Sequence, residues 1–141
     1  MYYIAILGVL IVLFLPHFQL VKGSSKEPTL KDGQFILSVI PSRIERMDIV
    51  TIKTNNGILV KRVVGIPGDT VQIKNGRACI NNNVINDIVT DYAGVTVLPV
   101  YLGDGEYFVL GDIRNNSRDS RCHTAGVVNE RQILRKVIIV E

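Results

Sequence analysis

The sequence predicts a mainly β protein in which antiparallel β-sheets form a partly closed barrel or sandwich, preceded by one N-terminal transmembrane helix. Three observations lead to this fold class. Short runs rich in Val and Ile recur along most of the chain. Most of these runs are separated by Gly, Asn, Asp or Pro, and a continuous apolar run occupies the N-terminus. Alternating apolar runs with turn residues between them are typical of antiparallel sheets, and a long run without charges is typical of a membrane segment.

Length and charge restrict the organisation and the partners. With 141 residues the chain has room for one domain with a single core. Its net charge of +3 is mild and the basic residues are scattered, so we expect no nucleic-acid binding. A weak attraction to anionic membrane lipid remains compatible with this charge.

The N-terminal run YYIAILGVLIVLFL covers residues 2–15. As a helix it would extend about 21 Å, against about 30 Å for the hydrocarbon core of a bilayer. Continuing the helix to Val21 gives about twenty residues, the length that a tilted span needs. A cleaved signal peptide is the alternative, but a basic segment before the run and a small-x-small cleavage site after it are both missing. The sequence therefore predicts a retained anchor over residues 1–21 and a catalytic β domain over residues 22–141.

The strand candidates follow this run. They are HFQLVK, QFILSV, DIVTIKT, ILVKRVVGI, TVQIK, RACI, EYFVL and RKVIIVE. The stretches TNNG, KNG and GIPGD contain Gly or Asn, which tolerate the positive φ of tight turns. Residues 81–105 are the least regular part and are expected to leave the core as an excursion, whereas residues 111–121 form a polar loop.

No metal site or bound cofactor is predicted. Cys79 and Cys122 lie far apart in sequence, as do His17 and His123, so the Cys and His spacing of a zinc site is missing. Free or buried thiols are favoured over a disulfide, and no His-centred triad is evident.

Lys61 is the candidate general base. A serine nucleophile needs an adjacent base, and a neutral lysine can serve if burial or a nearby cation lowers its pKa from about 10.4. Period-2 alternation in the strand ILVKRVVGI places Lys61 on one face and Arg62 on the other, so one of the two must face the core. An exposed lysine on an edge strand, with its stem along the surface, is the alternative interpretation. Lys26 is adjacent to Ser25 and points to the opposite side of an extended chain, which makes it a poor base for that serine.

Three segments carry a resemblance to a known family. SSKEPTL, VKRVVGIPGDTV and YFVLGDIRNNSRDSR occur in this order after the apolar N-terminus. They closely resemble the sequence boxes of type I signal peptidases, which are membrane-bound Ser-Lys proteases. The resemblance implies that Ser25 is the nucleophile and its backbone N–H an oxyanion donor, and that Lys61 is the base.

The same resemblance assigns supporting roles in the third segment. It implies that Ser117 orients the lysine amine and that Asp119 and Arg121 form an ion pair behind it. Asn116 and Asp112 would hold the loop, although they are equally well explained as ordinary turn residues. Three positions depart from the family pattern: Lys26 stands where Met is usual, Ile113 where Asn is usual, and Gly23 where some relatives carry a hydroxyl that helps to stabilise the oxyanion.

The resemblance implies a single-pass enzyme of the cell membrane, with its catalytic domain on the extracytoplasmic face, that removes signal peptides from exported preproteins. Lys22 after the apolar run does not support this orientation by charge. Aliphatic side chains such as Ile36, Val39 and Val50 could line pockets for small substrate residues.

Two other functions share the same features. One is an inactive relative that assists the assembly of secreted or pilus subunits, and the complete dyad argues against it. The other is a self-cleaving repressor-type protease, which the apolar N-terminus and the missing helix-turn-helix region argue against. Penicillin-binding enzymes place Ser and Lys as S-x-x-K on a helix, and SSKE does not fit that motif.

Overall fold

The computed structural model describes residues 16–20, 33–74, 77–85, 97–111 and 127–138. These residues form eleven short strands and one turn of 3-10 helix. The strands are β1 His17–Leu20, β2 Phe35–Val39, β3 Ile49–Thr54, β4 Gly57–Gly65, β5 Thr70–Lys74, β6 Arg77–Ile80, β7 Asn83–Val84, β8 Val97–Tyr101, β9 Glu106–Leu110, β10 Val128–Asn129 and β11 Ile133–Ile138. The 3-10 turn η1, Glu130–Gln132, is capped by Asn129, whose side chain accepts from the Arg131 N–H.

The strands form two antiparallel sheets, which confirms the predicted mainly β, antiparallel class. The large sheet has the order β1-β2-β11-β3-β4-β9-β10, and the small sheet has the order β7-β6-β5-β8. The strand β11 comes last in the chain but lies between β2 and β3. As a result β3 and β4 are interior strands of the large sheet.

The two sheets meet through an apolar cluster. On the side of the large sheet the cluster contains Val64, Phe108 and Leu110, and on the other side it contains mainly β5 and β6 side chains such as Val71 and Ile73. Gly65 ends β4 in this contact, and an added Cβ there would lie 2.6 Å from a Val71 methyl group. The close approach of the two sheets therefore requires a residue without a side chain at position 65.

The opposite face of the large sheet buries a second cluster. Val50, Ile52, Val63, Tyr107, Val109, Val128 and Ile133 form it. A third, smaller cluster of Ile36, Ile49 and Val137 lies on the same face as the contact between the sheets. Both faces of the central strands are thus buried, so their sequences read as nearly continuous apolar runs.

The predicted strands are confirmed wherever the structure describes them. The TNNG turn joins β3 to β4 with Gly57 at a φ of 121°, and Gly68 in GIPGD has a φ of 90°. The expectation for residues 81–105 was partly wrong, because β8 pairs with β5 and Leu102 is fully buried. Pro99 in the middle of β8 weakens the strand signal, and an edge strand can accommodate a proline.

The extension of a membrane helix to Val21 is wrong for residues 17–20. These residues form β1 and pair with β2, with Phe18 opposite Leu37 and Leu20 opposite Phe35. No helix in the described part of the chain has the length and hydropathy to cross a membrane. The apolar run at residues 2–15 lies outside the described residues.

Candidate active site

Lys61 is buried in the middle of the large sheet. It lies on β4, between β3 and β9, and only 3% of its surface is exposed. The register places it directly opposite Val50, and the alternation of the strand places it on the same face as Val63. The alternative of an exposed lysine on an edge strand is therefore wrong. Burial removes hydration from an amine, which disfavours its protonated form.

Arg62 is also buried, on the other face of the same strand. Its guanidinium Nη1 donates to the carbonyl oxygen of Met47 at 3.0 Å, and 7% of the residue is exposed. The predicted opposite orientation of the two neighbours is confirmed by the register and by the clusters to which Val63 and Val64 belong. Sequence alternation predicted that one cation would face the core, whereas the structure buries both.

The turn at Met47 and Asp48, immediately before β3, is hydrogen-bonded to the C-terminal half of β4. Met47 donates its N–H to the Val63 carbonyl at 2.7 Å, and the Val63 N–H returns a bond to the Asp48 carbonyl at 2.8 Å. Met47 has a φ of 73°, a left-handed conformation that costs a residue with a side chain about 1 kcal/mol or more. The Arg62 bond to Met47 stabilises this turn two residues from Lys61.

Asp48 and Lys136 form an ion pair on the face that carries Lys61. The Lys136 ammonium lies 2.8 Å from Asp48 Oδ1, and Asp48 Oδ2 accepts the Glu45 N–H at 2.8 Å. Lys136 is directly opposite Val50, and Val50 is directly opposite Lys61, so the three residues form one row across β11, β3 and β4. This pair is not predicted from the sequence, because its members are far apart in the chain and come together only through the insertion of β11.

Asp69 connects the two sheets. Its buried carboxylate accepts two bonds from the Arg46 guanidinium at 2.7 and 3.2 Å, one from the Asn81 amide at 3.0 Å and one from the Ile66 N–H at 2.9 Å. Burial alone would raise the pKa of Asp69, but the hydrogen bonds from Arg46, Ile66 and Asn81 outweigh it and hold the pKa below its ordinary value. The sequence indicated only a turn at this position.

Six of the seven predicted site residues lie outside the described residues: Ser25, Asp112, Asn116, Ser117, Asp119 and Arg121. Among the predicted pocket residues, Val39 and Val50 share the face of Lys61, whereas Ile36 belongs to the opposite face. The assignment of these residues to substrate pockets stays a prediction. Cys79 is a free and buried thiol on β6, as favoured. The described parts of the chain contain no group of three or more His, Cys, Asp or Glu side chains that could hold a metal ion.

Comparison with known proteins decides the family. The family model for signal peptidase, peptidase S26, matches residues 1–140. Signal peptidase I of Bacillus amyloliquefaciens is 37% identical over 147 residues, covering 91% of this chain and 77% of the relative. The chain belongs to the signal peptidase I family. Signal peptidase I T of Bacillus subtilis strain 168 is 36% identical over 150 residues, with 92% and 77% of the two chains covered.

The fold of a solved family member agrees with this assignment. A crystal structure of a signal peptidase I from Enterococcus faecalis V583 matches with a TM-score of 0.51 and 25% identity, over 65% of this chain and 94% of that chain. The resemblance inferred from the three sequence segments is thereby confirmed, as is the inference of a hydrolase that acts as a signal peptidase I-type serine endopeptidase. For a signal peptidase, a lysine buried on an interior strand is a chemically suitable group to accept a proton from a serine.

Proposed function

We propose that this signal peptidase cleaves exported preproteins with Ser25 as nucleophile and Lys61 as general base. The burial of Lys61 on an interior strand is the observation that carries the proposal. Surface lysines stay charged at neutral pH and cannot accept a proton, whereas an amine in an apolar environment can be neutral. The family membership supports a serine as the group that it deprotonates.

The proposed reaction has two steps. Ser25 Oγ attacks the carbonyl carbon at the cleavage site while Lys61 takes its proton, and the Ser25 N–H stabilises the oxyanion. Lys61 then gives the proton to the departing amine, which leaves an acyl-enzyme on Ser25. A water molecule deprotonated by Lys61 attacks this ester and releases the signal peptide, with the proton returning to Ser25 Oγ.

The supporting residues are proposed from the same resemblance. Ser117 accepts or donates a hydrogen bond at the Lys61 amine and sets its direction, and Asp119 with Arg121 stabilises the segment behind it. A neutral amine benefits from such a partner because its lone pair must point at the serine proton. Asn116 and Asp112 are proposed to hold the loop that carries these groups.

We also propose that the enzyme is tethered to the cell membrane by a segment within residues 1–16, with the catalytic domain on the extracytoplasmic face. The exposed apolar side chains of Phe18, Leu20 and Phe35 support this location, because they lie on β1 and β2 directly after the apolar run. Phe18 and Phe35 are 68% and 66% exposed. Residues 17–20 are in the sheet, so β1 follows the apolar run at residues 2–15 almost directly. Apolar contact of β1 and β2 with lipid would then add to the attachment.

The test is cleavage of a preprotein with an Ala-x-Ala site by the full chain in detergent. We expect Ser25→Ala and Lys61→Met each to lower kcat/KM by at least 10²-fold, in line with the loss of a nucleophile or a base. Matched controls are Ser24→Ala and Lys26→Met, which remove the neighbouring hydroxyl and the rival amine and should retain cleavage. Wild-type rates in both Ser25→Ala and Lys61→Met would refute the dyad.

A further inference from the structure

The Asp48–Lys136 ion pair lies close to Lys61 on one face of the large sheet. Lys61, Val50 and Lys136 are directly opposite one another on three neighbouring strands. Because adjacent strands are about 4.8 Å apart, the backbones at Lys61 and Lys136 are about 10 Å apart. Asp48 precedes Val50 by two residues, immediately before β3 begins, and Val50 is directly opposite Lys61. Asp48 is therefore the diagonal neighbour of Lys61, at a typical separation of about 7 to 8 Å.

The ion pair is partly shielded from water. The side chains of Asp48 and Lys136 are 13% and 30% exposed, and their charged atoms are 2.8 Å apart. Charges in such positions are screened by salt less than surface charges are. A carboxylate alone at position 48 would stabilise a protonated amine at Lys61, and an ammonium alone at position 136 would destabilise it. Together the two charges nearly cancel at the distance of Lys61.

We propose that Lys136 and Asp48 act as positioning residues that tune the proton affinity of Lys61, with Lys136 neutralising the carboxylate that would otherwise keep the base protonated. The proposal rests on the proposed function, in which Lys61 must be neutral to accept a proton from Ser25. In this scheme the pair takes no part in forming or breaking bonds. Its effect is electrostatic and reaches the reaction only through the Lys61 amine.

The other ionisable groups near this face keep the same charge in all the variants that test the pair. Tyr107 on β9 belongs to the cluster that contains Val50 and Val63. Its pKa is raised mainly by burial and also by the nearby Glu130 carboxylate, so its phenol is uncharged at neutral pH. Arg62 is on the opposite face. The described parts of β9, β10 and β11 otherwise present aliphatic groups to this cluster, namely Val109, Val128 and Ile133. Asp112, Asp119 and Arg121 lie outside the described residues.

The test compares the pH dependence of kcat/KM for preprotein cleavage by the full chain in wild type, Lys136→Met, Asp48→Asn and the double variant. The acidic midpoint of this profile reports the protonation of the free enzyme's base. We expect Lys136→Met to move the midpoint up by about 1 pH unit and Asp48→Asn to move it down by a similar amount, the size expected for one charge about 8 Å away in a partly shielded site. The double variant should return to within about 0.3 pH units of wild type.

Two matched variants control for general effects of charge and of packing. Arg43→Gln removes a cation from the Arg43–Glu45 pair, whose side chains are 82% and 57% exposed, and should leave the midpoint unchanged. Lys136→Arg keeps the charge and should restore the wild-type midpoint. Asn at position 48 retains an oxygen that can accept the Glu45 N–H, so this variant isolates the loss of charge.

Loss of rate with unchanged midpoints in both single variants would overturn the proposal and leave the pair a purely structural one. Midpoint shifts in the same direction for both would overturn it as well. If Lys136→Met does not fold, as judged by its thermal transition, Asp48→Asn and the salt dependence of its midpoint decide the question. Failure of the proposed function is distinguished separately, because Lys61→Met would then retain cleavage.

Discussion

The middle and the C-terminal end of β4 illustrate two uses of burial. At its C-terminal end, Val64 and Gly65 pack against apolar side chains of the small sheet. Three residues earlier, Lys61 and Arg62 are buried on opposite faces of the same strand. Apolar packing stabilises the fold, whereas a buried amine costs free energy. The comparison indicates that apolar packing against the small sheet offsets the free-energy cost of the cations buried in the middle of β4.

The most direct way to break the contact between the sheets is Phe108→Ala. Phe108 is fully buried between β4 and the small sheet, and its truncation should lower the free energy of unfolding by about 3 to 5 kcal/mol. Chemical denaturation of the full chain in detergent measures this loss. Phe18→Ala, at an exposed position of β1, is the matched control and should change stability by less than about 0.5 kcal/mol in detergent. Equal losses in the two variants would contradict a special role for the contact between the sheets.

Asp69→Asn tests the polar connection between the sheets. The variant keeps the shape but loses the charge that accepts two bonds from Arg46, and we expect a loss of about 2 kcal/mol. The pKa of Asp69 is lowered in the folded state. The free energy that its carboxylate adds to folding is therefore fully present at a pH above the ordinary pKa of an aspartate and is lost as the pH falls through the folded pKa. The stability of wild type should therefore fall more steeply than that of Asp69→Asn below pH 4. Parallel acid transitions would show that the Asp69 carboxylate contributes nothing to the folded state.

Lys61→Met sharpens the comparison in the middle of β4. Replacing a buried amine by a thioether of similar length removes both its desolvation penalty and its polar contacts, which have opposite effects on stability. We expect the free energy of unfolding to stay within about 2 kcal/mol of wild type, although cleavage is lost. Thermal denaturation near pH 7 measures this effect. A large loss of stability would mean that Lys61 holds the sheet together, and its burial would no longer support a role as base.

Thr51→Val should give the smallest effect. The Thr51 hydroxyl is buried on β3 without a hydrogen-bond partner, and valine has nearly the same shape. We expect a gain of about 1 kcal/mol, because an unsatisfied buried hydroxyl is removed. Equilibrium denaturation distinguishes this gain from a loss, and a loss would indicate that the hydroxyl is satisfied in solution, for example by water.

Local sequence patterns predicted the strands and the side-chain faces but not the neighbours of each strand. The Val and Ile runs and the Gly-containing turns identified β2 to β6, and alternation identified the opposite faces of Lys61 and Arg62. The two-residue strands β7 and β10 are too short to give a periodic signal. Which charges approach Lys61 depends on long-range pairing, so the Asp48–Lys136 pair and the Arg46–Asp69 connection could not be predicted. Lys61 itself was predicted because strand alternation and the family resemblance selected the same residue.

The central position of β11 has a consequence for folding. Its neighbours β2 and β3 lie far before it in the chain, so the large sheet has a gap between them until β11 inserts. Pairing between segments so distant in the chain is slow compared with local folding. The large sheet would therefore be completed late in folding, and removal of β11 would leave Asp48 without Lys136 as well as an incomplete sheet.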